Sequence, residues 1–175
     1  FQTGALARDA NALHEALGGD ERAVVVGHDW GAQAVYGAAV AAPDRWRKVV
    51  AMAVPVGPAL AGSFFTYDQI KRSFYMYFFQ NPLADVLVAA DDQAFVARLW
   101  ADWSPGYDAT EDLAHVRTAL AAPENLAAAL GYYRALFDPS RQSPELAAEQ
   151  QAVGGVPPQP TLYLHGAQDG CMGVD

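Results

Sequence analysis

The chain has 175 residues, with 20 acidic and 11 basic side chains, a formal net charge of −9 and a single cysteine. The length suffices for one domain with a sizeable core, and the lack of any basic stripe argues against a nucleic-acid partner. One cysteine excludes an intrachain disulfide and fits a reducing cytoplasm, and no apolar run approaches membrane-spanning length.

The chain opens at Phe1, without a methionine, and falls directly into a helical pattern. We therefore expect it to begin inside a longer protein. Residues 1–17 read as an amphipathic helix with Leu6, Leu13, Ala16 and Leu17 near one face, stopped by Gly18-Gly19. Residues 23–27 read as a strand, apolar throughout, which predicts burial on both sheet faces. The strand ends in Gly27-His28-Asp29-Trp30-Gly31 and flows into an Ala- and Gly-rich helix over 31–42, ended by Pro43. Strand, sharp turn and helix with a reactive side chain at the apex is the layout of a nucleophile elbow, here with Asp29 where serine more often sits. Gly27 and Gly31 are expected to relieve clashes around the turn. The apex side chain then projects above the carboxyl edge of the sheet, where open α/β sheets bind ligands. A carboxylate held there can attack carbon and form an ester. The competing reading makes Asp29 a helix N-cap; the flanking glycines and the strand running straight into the turn favour the nucleophile.

Residues 49–54 read as a second buried strand ended by Pro55, completing a βαβ unit. From about residue 58 to 153 the pattern is helical and aromatic-rich, with helices near 67–79, 91–101, 109–121, 123–137 and 143–152. Ser104-Pro105-Gly106, Asp138-Pro139 and Ser143-Pro144 punctuate them. After Pro157-Pro158 a third strand, 161–164, precedes His165-Gly166. The expected architecture is α/β: a parallel sheet with core segments at 1–57 and 156–175 and an inserted helical lid at 58–155.

Tyr75 sits in the aromatic run from Phe74 to Phe79 and shares a helical face with Phe78 and Phe79; by spacing alone such a run is ordinary core. Tyr132 and Tyr133 are adjacent, so a helix points them about 100° apart and only one can face a pocket. Asp169, in a Gly-rich loop, reads by itself as a turn former, with Asp175 a competing carboxylate. His28 reads as structural, Arg134 as a surface or ion-pair residue, and Cys171 as a small buried or loop residue with nothing nearby in sequence to lower its pKa. The four histidines and one cysteine show no metal-ligand spacing, and no phosphate-binding glycine pattern is present, so neither metal nor cofactor is implied. Nothing in the sequence specifies an oligomeric state.

Four segments, in order and spanning nearly the whole chain, resemble the epoxide hydrolases of the α/β-hydrolase superfamily. Gly27-His28-Asp29-Trp30-Gly31 is similar to the family's elbow, and Ser73-Phe74-Tyr75-Met76-Tyr77-Phe78-Phe79-Gln80-Asn81-Pro82 to its first lid segment. Gly131-Tyr132-Tyr133-Arg134 resembles the second lid tyrosine motif, and Leu162-Tyr163-Leu164-His165-Gly166-Ala167-Gln168-Asp169-Gly170-Cys171 the acid-bearing strand and loop. The resemblance implies that Asp29 is the nucleophile, that Tyr75 and Tyr133 hydrogen-bond the epoxide oxygen, and that Asp169 is the acid of the charge pair. The Trp30 backbone N–H matches an oxyanion donor, and its indole has two readings: it lines the pocket or, as in a related enzyme class, binds halide. The implied reaction is hydrolysis of a small apolar epoxide by water to a vicinal diol through an Asp29 ester, in the cytoplasm.

Two family features are missing. There is no His-Gly-x-Pro loop upstream, and none of His14, His28, His115 and His165 occupies the place of the catalytic histidine. We therefore expect a partial α/β-hydrolase fold carrying the elbow, the lid and the acid strand, unable by itself to sustain turnover. The alternatives are a haloalkane dehalogenase-like hydrolase, which also uses an elbow Asp followed by Trp, and a partial chain without catalytic function.

Overall fold

The computed structural model describes residues 1–174. Helix α1 (Thr3–Ala16) leads into strand β1 (Val24–His28), helix α2 (Trp30–Ala41) and strand β2 (Lys48–Met52). Helices α3 (Gly57–Ser63), α4 (Tyr67–Arg72), α5 (Phe74–Phe78), α6 (Ala84–Trp103), α7 (Thr110–Ala119), α8 (Pro123–Phe137) and α9 (Ala147–Val153) come before strand β3 (Thr161–Leu164). The strands form one parallel sheet in the order β1-β2-β3, with Val25 opposite Val49 and Val50 opposite Leu162. Parallel neighbours need long crossovers. The first is α2; the second contains every helix from α3 to α9. The βαβ unit and the third strand stand where the residue pattern puts them; between them the helix expected over 67–79 is two, α4 and α5, the one expected over 91–101 begins at Ala84, and α3 is additional. No helix among the described residues is long and apolar enough to cross a membrane.

Two expectations about burial are corrected. Leu13 of α1 and Leu17 at its C-terminal cap are exposed, and the face that α1 buries carries Thr3, Gly4 and Ala7. The reason is close approach: α1, α2 and α9 pack against one another. A Cβ on Gly4 would fall 2.6 Å from the Gln150 backbone nitrogen, and one on Gly37 2.8 Å from both Ala7 and Val153. Helices this close select small residues, so the leucines do not mark the packed face. Strand β1 is covered on one side, not two: Val25 is buried, whereas Val24 and Val26 are 48% and 58% exposed. An apolar run records what a strand can bury, not which faces the chain covers.

Two apolar clusters result. Val25, Val35, Tyr36, Trp46, Val49 and Val54 form one between the sheet and α2. Tyr75, Met76, Phe79, Val88, Leu99 and Leu130 form the other within the inserted helices. Helix α6 is interrupted at Asp91, Asp92 and Gln93, which take left-handed backbone angles; Arg117 of α7 donates to the Asp92 carbonyl at 3.0 Å across the break.

The elbow glycines are not equivalent. A Cβ on Gly27 would be driven into the Gly31 carbonyl, backbone that cannot swing aside, whereas a Cβ on Gly31 meets nothing within 4 Å. Gly31 therefore does not relieve a clash, contrary to the expectation above. Gly27→Ala should cost at least about 2 kcal/mol of stability through overpacking. Gly31→Ala should change stability by no more than about 1 kcal/mol, since alanine is the better helix former. Paired denaturant titrations check this; equal costs at the two positions would contradict the assignment.

Candidate active site

The elbow is built from strain and three hydrogen bonds. Asp29 stands at φ 56°, ψ −121°, a conformation that L-residues rarely adopt. Its N–H continues the sheet ladder to the Met52 carbonyl at 3.2 Å, and its carbonyl accepts from Ala32 N–H at 2.9 Å as α2 begins. The side chain turns back so that Oδ2 accepts from the Trp30 N–H at 2.6 Å. Asp29 is thus the N-cap of α2. Beside it, β2 ends in a second tight turn: Ala53 lies at φ 68°, and Val54 N–H reaches back to the Met52 carbonyl at 2.9 Å. The two turns stand side by side at the carboxyl edge of the sheet.

The insertion brings its aromatic residues down over that edge. The Tyr75 and Tyr133 rings are 5.6 Å apart, edge to face, and Tyr133 lies 5.2 Å from the Trp30 ring. Tyr75 also packs on Phe79 at 5.6 Å and Trp103 at 4.9 Å, as its helical spacing anticipates. Tyr133 is the member of its pair that lines the cavity; Tyr132 packs on Phe1 and on the outer side of Trp30. Arg134 fixes this register. Its Nε donates to the Phe79 carbonyl at 3.0 Å, and its Nη2 pairs with Asp85 at 2.6 Å.

Asp29, Trp30, Tyr75 and Tyr133 line one cavity of about 440 Å³ between the two clusters. Its other walls include Phe64, Met76, Leu136 and Phe137, and Asp29 is the only charged side chain among the described lining residues. Burial pushes the Tyr133 hydroxyl up to about 12, and the Asp29 charge acts in the same direction. Tyr75 is raised well above the ordinary phenol value, first by burial and then by Cys171, Tyr133 and Asp29 around it. Both phenols are therefore neutral donors at ordinary pH.

Asp169 is placed differently. Its Oδ1 accepts from the N–H groups of Cys171 and Met172 at 2.8 and 2.9 Å, shaping the loop after β3. Cys171 and Met172 line the cavity, whereas Asp169 is not among the lining residues. Asp175 lies outside the described residues. His28 is exposed and away from the cavity. Both ring nitrogens of His165 are engaged, one with the Tyr163 hydroxyl and the other with the Met172 carbonyl at 3.0 Å.

The motif reading gave no site role to Gln33 or Cys171, which both line the cavity. Gln33 is one helical turn beyond Asp29 on α2, a spacing that was legible. Cys171 lines the cavity with its sulfur 3.4 Å from the Tyr75 hydroxyl, which no sequence spacing signals. Among the described residues no group of three or more His, Cys, Asp or Glu side chains could hold a metal ion.

Known proteins similar to this chain include epoxide hydrolases. The chain is 26% identical over 178 residues to epoxide hydrolase 1 of Caenorhabditis elegans, covering 97% of this chain and 42% of that protein. It is 39% identical over 88 residues to epoxide hydrolase A of Mycobacterium tuberculosis, covering 46% of this chain and 26% of the relative. The solved structure of an epoxide hydrolase from Bacillus megaterium superposes with a TM-score of 0.74 at 21% identity, covering 99% of this chain and 62% of that one. The chain thus spans less than half the length of these two sequence relatives. The family model of the alpha/beta hydrolase fold matches residues 1–175, and the chain belongs to that family.

Proposed function

We propose that this chain carries the ring-opening machinery of an epoxide hydrolase, in which residues 58–155 act as a lid over the core segments 1–57 and 156–175. The observation that carries the reading is the meeting of one carboxylate and two neutral phenols in one largely apolar cavity. An epoxide carbon is a modest electrophile with an alkoxide leaving group, so ring opening needs a nucleophile on carbon and donors on oxygen. One Asp29 oxygen attacks the carbon and forms a C–O ester bond. The ring C–O bond breaks, its electron pair goes to the epoxide oxygen, and a phenol supplies that oxygen's proton and is reprotonated from solvent. A halide leaving group would call instead for N–H donors and would leave the paired phenols without a task.

The Trp30 N–H already holds the Asp29 oxygen that becomes the ester carbonyl. When water attacks that ester, the same N–H stabilises the oxyanion. In this reading Asp169 serves the second step by orienting the base that activates water, and the products are a vicinal diol and the free Asp29 carboxylate. The substrate is a small apolar epoxide, and names such as epoxide hydrolase 1 and epoxide hydrolase A among the relatives favour that class.

Rapid-quench measurement of ester formation with styrene oxide tests this. Asp29→Asn should abolish the adduct, and Tyr75→Phe or Tyr133→Phe should each slow its formation by on the order of 10²-fold. Both tyrosine variants reacting at the parent rate would refute the reading. The pH dependence supplies a second test. A raised phenol pKa keeps the neutral donor at pH values where an ordinary phenol has ionised, so the rate should hold through pH 10 and fall only as pH approaches about 12. An alkaline limb centred at or below about pH 10 would contradict the assigned donors.

A further inference from the structure

We propose that the Cys171 thiol is a positioning residue for Tyr75, donating its S–H to the phenol oxygen so that the Tyr75 O–H is left free for the substrate; this rests on the ring-opening reading above. Tyr75 is 5% exposed, and its hydroxyl lies at hydrogen-bond distance, 3.4 Å, from the Cys171 sulfur. A phenol has one proton to give and an oxygen that accepts. If Tyr75 donated to sulfur, its proton would be held by a weak acceptor and lost to the reaction. With the direction reversed, the thiol satisfies the oxygen. The O–H is then free to turn into the cavity that also holds Asp29 and Tyr133, where a substrate oxygen takes it. Burial pushes the Cys171 thiol up to about 11, so the proton stays on sulfur at neutral pH.

The thiol is held from several sides. Gln69 of α4 is 6% exposed. Its Nε2 donates to the Cys171 carbonyl at 2.9 Å and to Ser73 Oγ at 2.8 Å, and its Oε1 accepts from Gly173 N–H at 3.0 Å. Asp169 Oδ1 takes the Cys171 N–H at 2.8 Å. Gly170 N–H bonds the Trp103 carbonyl at 2.9 Å, which docks the loop on the end of α6. Ser73 is two residues before Tyr75, so the segment that carries the phenol also clamps the loop that carries the thiol. The position of the sulfur relative to the phenol is therefore built into the packing of the insertion against the loop after β3.

The test is the rate of Asp29 ester formation with styrene oxide at saturation, with the adduct located by peptide mapping. Cys171→Ala removes the donor and should lower the limiting rate by about 5- to 10-fold, the size of one ordinary hydrogen bond, with the half-saturating concentration unchanged. Cys171→Ser, a short side chain that still donates, should restore the rate to within about 2-fold of the parent. In a Tyr75→Phe background, which has no phenol to orient, Cys171→Ala should have no further effect. A purely structural role for Cys171 would give the same loss in both backgrounds. The proposal is overturned if Cys171→Ala reacts at the parent rate, if Cys171→Ser is as slow as Cys171→Ala, or if the alanine effect persists in the Tyr75→Phe background. A parent protein alkylated on Cys171 and not on Asp29, or on neither, sinks the ring-opening reading itself and this proposal with it.

Discussion

The turn at Asp29 is the constraint on which the rest of this structure depends. A backbone at φ 56°, ψ −121° is sparsely populated for an L-residue and costs on the order of 1–3 kcal/mol. It persists because its surroundings leave no alternative. The ladder bond to Met52 holds the residue in the sheet, the bond from Ala32 starts the helix, and Gly27 lets the two approach until only a hydrogen would fit. The strain lifts the carboxylate off the end of β1 and leaves one of its oxygens on the Trp30 N–H. Without the turn, Asp29 would be a helix cap facing solvent. With it, the same capping bond fixes the orientation of a carboxylate on the cavity wall.

The inserted helices answer that carboxylate with donors rather than with a cation. Arg134, the nearest guanidinium in sequence to Tyr133, is committed to Asp85 and the Phe79 carbonyl and does not line the cavity. An arginine against Asp29 would neutralise its charge and withdraw that charge from the phenols. Phenols in an apolar cavity stay protonated, and the negative charge beside them raises their pKa further. The charge on Asp29 thus helps to keep both phenols protonated.

Much of this was legible in the residues, for identifiable reasons. The elbow could be read because a β-branched run, a glycine and an Asp in direct succession leave few conformations open. The choice of Tyr133 over Tyr132 came from the resemblance, and helical geometry made it a choice of one. The packed face of α1 was misread because periodicity weighs leucine above glycine, whereas the helix lies so close to α2 and α9 that Thr3, Gly4 and Ala7 form the contact. Gly31 looked equivalent to Gly27 by symmetry about Asp29, but only Gly27 meets backbone across the turn. Gln69 and Cys171 were silent because their significance lies in contacts across about a hundred residues of chain, from α4 and α5 to the loop after β3.

The central claim is geometric: the Asp29 carboxylate attacks an epoxide carbon while Tyr75 and Tyr133 receive the opening oxygen. A crystal structure of the protein after reaction with styrene oxide tests it most directly. The account predicts continuous density from an Asp29 carboxylate oxygen to the substrate carbon, with the new hydroxyl within hydrogen-bond distance of both tyrosine oxygens. Density joined to another side chain, or an Asp29 adduct whose hydroxyl points away from both tyrosines, would contradict it.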